Sequence, residues 1–205
     1  LVSSRGLGDV YKRQALDGNF ADTYTGDVTL GDDADVEIAA TDITTIAGDT
    51  TGTVTVSNNI NISGTSAAIA TAVGNIDTFS GSPTATLSDA HTLAELKTIN
   101  NAISGTITLN DYSVGLSGSS ADVAAALAGS FAAGYTGNVT LSDTPTQAQL
   151  SLIDAATTGN IYSDSIDYTV YDSIISEGQL YFLNAQYNGF VDATAVTTIT
   201  GTAAE

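Results

Sequence analysis

The sequence predicts an α/β fold built as a repetitive solenoid, in which short strands alternate with short helices and the strands form a parallel sheet. Three observations predict it. Separate segments return at one common spacing, that from Thr86 to Thr140. Short β-branched stretches, each preceded by a glycine, alternate apolar residues with Thr. Capped stretches with helical spacing follow them.

The repeat comes first, because internal periodicity decides the architecture. Thr86-Leu87-Ser88-Asp89 returns as Thr140-Leu141-Ser142-Asp143, and Thr29-Leu30-Gly31-Asp32 is a weaker copy upstream. Gly52 to Ser57 is echoed by Gly105 to Asn110. Ile62-Ser63-Gly64-Thr65-Ser66 is echoed by Leu116-Ser117-Gly118-Ser119-Ser120. Each period is read as two half-units, so residues 15–164 hold about five to six strand–helix half-repeats.

The strands are expected at Val28–Leu30, Thr53–Val56, Thr106–Leu109 and Val139–Leu141. Their apolar/Thr alternation suits a sheet with one buried face. Gly26, Gly52, Gly81, Gly105, Gly137 and Gly159 stand just before strands. Tyr112 to Ser117 reads either as an extension of the strand at Thr106 or as a hairpin back onto it.

The helices carry start signals. Leu93, Leu96, Ile99 and Ile103 share one face, and Thr92 with Glu95 forms a capping box. Thr144-Pro145 reads as an N-cap before a proline at the first helical position. Ser119 and Ser120 are candidate caps for Ala121 to Ala128. Gly105, Gly129 and Gly159 read as left-handed helix stops. The expected unit is therefore strand, helix, strand, helix. Consecutive parallel strands then require a right-handed crossover, and stacking buries faces that one unit cannot cover alone. The alternative is an all-β repeat array with helical turns only at the caps.

Residues 165–205 lose the period and gain aromatics: Tyr168, Tyr171, Tyr181, Phe182, Tyr187 and Phe190. They read as a diverged repeat with a bulkier core, ahead of an aromatic platform for sugars.

The amino-terminal segment is a different matter. Residues 4–14 resemble one reading frame of a transposase-type sequencing adapter; Asp9 to Gln14 reads back as GAT GTG TAT AAG AGA CAG. Residues 1–14 are accordingly set aside as a non-native, adapter-derived segment. The chain is expected to be part of a longer gene, because Val196 to Glu205 reads as a strand and then the opening of a helix.

Composition narrows the function. Apolar residues make up 42% of the chain, enough for a core, while aromatics are only 7%, which favours thin, closely stacked layers. The net charge is −19, and three of the four basic residues lie within residues 1–14, leaving Lys97. Such a chain is not expected to bind nucleic acid or anionic membrane surfaces. It has no Cys, and it has no apolar run of the length that spans a bilayer.

A resemblance joins these features. Ser88 to Ala102, followed by Ser104 to Asp111, resembles the repeats of giant cell-surface, adhesin-type proteins of marine picocyanobacteria and related bacteria. Ser117 to Leu127 is similar to the second half of that unit. The resemblance spans about residues 24–164. It implies export, display outside the cell, and a part in adhesion, matrix or motility, with no catalytic residues to transfer. Some such proteins also carry calcium-binding glycine-rich nonapeptides, but the Gly-Gly-x-Gly-x-Asp pattern is missing from this chain.

Few residues could carry chemistry. His91 is the single histidine; in a strand-to-helix turn it reads as an exposed loop residue rather than a catalytic base. No serine sits in a nucleophile-elbow pattern, and one His without Cys does not make an ordinary zinc site. Acids gather at strand ends: Asp32, Asp33 and Asp35, then Asp89, Asp111, Asp143 and Asp164. Helix capping and surface charge account for their positions. The alternative is calcium binding by Asp32, Asp33, Asp89, Asp111 and Asp143.

The expected function is thus a structural or adhesive repeat segment of a large secreted or cell-surface bacterial protein, without catalysis or a required cofactor. Its partners would be neighbouring repeats of the same parent chain, and extracellular polysaccharide or a cell surface. A calcium-dependent polysaccharide- or surface-binding module is the alternative.

Overall fold

The structure, a computed structural model, describes residues 24–163, 168–169, 174–176, 191–192 and 196–200. The adapter-like segment lies outside these residues, as do Asp164, Tyr171, Tyr181, Phe182, Tyr187 and Phe190. The chain is mixed α/β, and among the described residues every strand pair is parallel. It divides into two compact units, one of residues 1–112 and 125–134, the other of residues 113–124 and 135–205.

In the first unit two parallel sheets are each extended strand by strand along the sequence. One joins β1 (Val28–Leu30), β3 (Val54–Val56) and β5 (Thr78–Phe79). The other joins β2 (Glu37–Ala39), β4 (Asn61–Gly64), β6 (Thr84–Leu87), β7 (Thr106–Thr108) and β9 (Ser130–Phe131). Helices α1 (Ala40–Gly48), α2 (Ser66–Gly74) and α3 (Leu93–Ala102) follow β2, β4 and β6.

Two strands therefore precede each of these helices, where the sequence reading expected one. The missed strands β2 and β4 show why. Each holds a single inward apolar residue, Ile38 or Ile62, among Glu, Asn, Ser and Gly. A tract that short and polar shows no alternation to read.

Register explains the core. Ile38 pairs with Ile62, Ile62 with Ala85, Ala85 with Ile107, and Ile107 with Phe131. The first four of these are fully buried. Leu30 pairs with Val56 in the neighbouring sheet, and both are buried. The helices contribute Ile43 and Ile46, then Ile69, Ala72 and Val73, then Leu96 and Ile99. Burying each large aliphatic side chain contributes roughly 1.5–3 kcal/mol. That contribution holds helices of 9 or 10 residues, which are marginal in isolation.

The second unit holds a three-stranded parallel sheet of β8 (Leu116–Gly118), β10 (Val139–Leu141) and β11 (Ile161–Ser163). Leu116, Val139 and Ile161 are in register and buried. Helix α4 (Ser120–Leu127) follows β8, its last residues belonging to the first unit, and α5 (Gln147–Ala156) follows β10. Tyr135 is buried and its hydroxyl donates to the carbonyl of Val114 at 2.6 Å. Further on, β12 (Tyr168–Thr169) pairs with β14 (Val191–Asp192), and β13 (Ile174–Ser176) with β15 (Thr198–Thr200).

Several local expectations are corrected. Tyr112 to Ser117 neither extends β7 nor folds back on it, because Leu116 opens β8, which pairs parallel with β10. The α5 cap is Thr146, not Thr144; its hydroxyl accepts from Gln149 N, and Pro145 lies before the helix. Gly105, Gly129 and Gly159 are not left-handed stops: among the described glycines only Gly64 has a positive φ, and its 151° lies far from the helix-stop conformation. Gly105 and Gly159 are glycines because the previous turn's backbone passes against them. A Cβ on Gly105 would lie 2.5 Å from the carbonyl oxygen of Pro83, and one on Gly159 would fall on the backbone of Gly137.

Candidate functional site

The densest polar arrangement is the joint between one helix start and the next. Among the described residues two such joints stand out, one in each unit. In the first, α2 begins with Thr65, whose hydroxyl accepts the N–H of Ala68. The N–H of Ser66, one of the donors a helix start leaves unsatisfied, donates to Asp89 Oδ1 at 2.7 Å from the next turn. The Ser66 hydroxyl donates to Glu95 Oε2 at 2.9 Å and lies 3.3 Å from the Ala90 carbonyl oxygen. Glu95 Oε2 also accepts the N–H of Thr92 at 2.8 Å, closing the predicted capping box of α3. One carboxylate oxygen thus serves two helix starts.

The second joint repeats this one full period later. Ser119 Oγ accepts the N–H of Asp122 at 3.2 Å. Ser120 N donates to Asp143 Oδ1 at 2.6 Å, and Ser120 Oγ to Gln149 Oε1 at 3.2 Å. Thr146 N donates to the same Gln149 oxygen at 2.8 Å. Ser66 and Ser120 are 2% and 1% exposed. The sequence motif is thus a Ser, an Asp in the next turn, then Thr and Glu or Gln at capping-box spacing.

Charge in the first joint is set by these bonds. Burial pushes the Glu95 carboxyl up, but hydrogen bonds from the Thr92 N–H, the Ser66 hydroxyl and the Thr92 hydroxyl outweigh it, and the group ends below the usual carboxylate range. His91, expected at the surface, is 3% exposed. Burial depresses its basicity, against the pull of Asp111, Glu95 and Asp89.

The structure does not bring the five candidate acids to one place. Asp32 is buried, and its carbonyl accepts from Asn58 Nδ2 at 2.6 Å. Asp33 is exposed in the turn that carries Asp35 at φ 67°. Asp89 and Asp143 hold the two joints, in separate units. Asp111 is exposed after β7. Among the described residues no three His, Cys, Asp or Glu side chains form a group suited to a metal ion. Among the same residues no helix is long and apolar enough to cross a membrane.

Other short polar side chains accept backbone N–H groups from a neighbouring turn. Asp27 Oδ1 takes Thr53 N at 2.8 Å, Asp77 Oδ2 takes Val54 N at 2.7 Å, Asn59 Oδ1 takes Ser82 N at 2.6 Å, and Asn138 Oδ1 takes Asn160 N at 2.9 Å. The Thr53 N–H, with its hydroxyl, holds the Asp27 carboxyl below its ordinary range.

Sequence reasoning missed one relation that this geometry exposes. Tyr24-Thr25-Gly26-Asp27-Val28-Thr29-Leu30 matches Tyr135-Thr136-Gly137-Asn138-Val139-Thr140-Leu141 at every position but the Asp/Asn one. Each tract meets a Thr-Thr-Gly in the next turn. Thr50 Oγ1 donates to the Gly26 carbonyl at 2.7 Å and accepts Gly52 N at 3.0 Å. Thr157 does the same with Gly137 and Gly159, at 2.9 and 3.0 Å. The signal was present, but at a spacing about twice that of the other repeated segments.

No protein family, curated protein or solved structure matches this chain.

Proposed function

We propose that this chain is a structural and adhesive repeat segment of a large secreted or cell-surface bacterial protein, acting without catalysis. The recurrence of the joint supports the reading. Ser66, Asp89, Thr92 and Glu95 in one unit, and Ser120, Asp143, Thr146 and Gln149 in the other, are used to connect successive turns. The two hydroxyls that face an acid or amide are buried, out of reach of a substrate. Its partners are neighbouring repeats of the parent chain, with extracellular polysaccharide or a cell surface as the adherend.

The test is attachment. Beads coated with the chain are brought to layers of acidic and neutral polysaccharide and to bacterial cells, beside beads coated with an inert protein of equal charge. Retention above the control on at least one surface, with no release of sugar, is expected. Retention equal to the control on every surface removes the adhesive role, and release of sugar removes the non-catalytic one.

A further inference from the structure

The two joints have the same geometry but not the same ionisation. Glu95 in the first corresponds to Gln149 in the second, and His91 to Pro145. The second joint therefore has neither an ionisable capping-box acceptor nor a histidine. In the first, His91 is 3% exposed in the turn between β6 and α3, close in sequence to both the Asp89 cap and Glu95. The charged groups that act on it are Asp89 in the same turn, Glu95 on α3 and Asp111 beyond β7.

We propose that the Ser66–Asp89–Glu95 joint is an acid-sensitive latch: it loosens on mild acidification, while the Ser120–Asp143–Gln149 joint keeps its hold. Burial lowers the basicity of the His91 imidazole by more than the three carboxylates raise it. The opened turn hydrates His91 and lets it protonate near its ordinary value of about 6.5. Protons thus bind the open form more than the closed one, and opening becomes more favourable as pH falls past that value. Glu95 acts in the same direction at lower pH, since its carboxylate is the form that holds Ser66 and Thr92. In the second joint the places of His91 and Glu95 are taken by Pro145 and Gln149, which do not titrate, and the acid cap Asp143 is common to both designs as the counterpart of Asp89. A tether built this way yields at one joint first, leaving the rest of the array folded.

The test uses the whole chain and needs no ligand. His91 is the single histidine, so its ring protons give one NMR titration. A midpoint below 6.5 is expected; a midpoint at or above it overturns the proposal. Hydrogen exchange is then followed at pH 7.5 and 5.5, corrected for intrinsic rate. Protection over residues 84–102 is expected to fall, by up to about tenfold, with residues 139–156 unchanged. The double variant His91→Gln, Glu95→Gln is expected to lose this difference. An equal response in both segments overturns the proposal, and so does a response that survives the double substitution.

Discussion

Asp89 reaches back to the preceding turn to accept the backbone N–H of Ser66 at 2.7 Å, and through that bond a residue of one turn finishes the helix of the turn before it. Asp143 does the same for Ser120 at 2.6 Å. The caps make neighbouring turns depend on each other in one direction, from the later residue to the earlier helix.

Removing either cap is expected to weaken its own unit. Asp89→Ala and Asp143→Ala should each lower stability by about 1–2 kcal/mol, as lost N-caps do when the orphaned donor is buried. Urea unfolding checks this. Substitution by Asn, which keeps an acceptor oxygen, should recover most of the loss.

Glycine positions separate by what passes against them. A Cβ at Gly52 would fall on the Gly26 backbone, and one at Gly159 on the Gly137 backbone, whereas one at Gly48 meets nothing within 4 Å. Gly52→Ala and Gly159→Ala should destabilise by about 1–3 kcal/mol or more, because backbone must move. Gly48→Ala, in the last position of α1, should be neutral or stabilise by up to about 1 kcal/mol. Thermal melts of the three variants distinguish these outcomes.

Asn138 occupies the place that Asp27 takes in the earlier copy, and both side chains accept an N–H from the next turn. Asn138→Asp should therefore change stability by less than about 0.5 kcal/mol, while Asn138→Ala should cost about 1 kcal/mol. Melting both beside the parent chain tests the equivalence.

Glu95 predicts an acid limb. Its carboxyl lies below the ordinary range in the folded chain, so its contribution is present above the unfolded value and is lost as pH falls through the folded one. Urea midpoints measured from pH 6 downward should decline less steeply in Glu95→Gln, whose neutral amide reproduces the role of Gln149. An unchanged slope would contradict the assignment.

Calcium is expected to leave stability unchanged. Asp89 and Asp143 already accept backbone N–H groups, and the five candidate acids are dispersed along the chain. Melts of residues 15–205 in millimolar calcium and in chelator, at matched ionic strength, should coincide. A calcium-specific rise in melting temperature would reassign these acids to cation binding.

Much of the fold was legible in particular residues. The Thr92–Glu95 capping box and the Leu96, Ile99 face identified α3, because both are local patterns. The parallel pairing followed from strands alternating with helices. What escaped was set by contacts across turns. Ile38 and Ile62 are single apolar residues whose strand character comes from register with Ala85 and Ile107. Gly105 resembled a helix stop locally, but its requirement comes from Pro83, a turn away. His91 resembled an exposed loop residue, and its burial has no local pattern in the sequence to announce it. Of the candidate site, the strand-end acids Asp89 and Asp143 were read as caps and Ser120 as a cap of its own helix, but the bonds from Ser66 and Ser120 to the acid of the next turn were not foreseen, because they join residues of different turns.

The near-identity of Tyr24–Leu30 and Tyr135–Leu141 bears on how the chain reaches its fold. β1 and β10 present the same Val-Thr-Leu triplet, behind the same Tyr-Thr-Gly, to parallel partners. An unfolded chain released all at once thus holds two equivalent strands competing for each docking position, and swapped pairings are traps of a kind common in repeat proteins. Synthesis from the amino terminus removes the competition, since β1 can settle on β3 before β10 has been made. Refolding from denaturant should be slower and less complete than folding during translation.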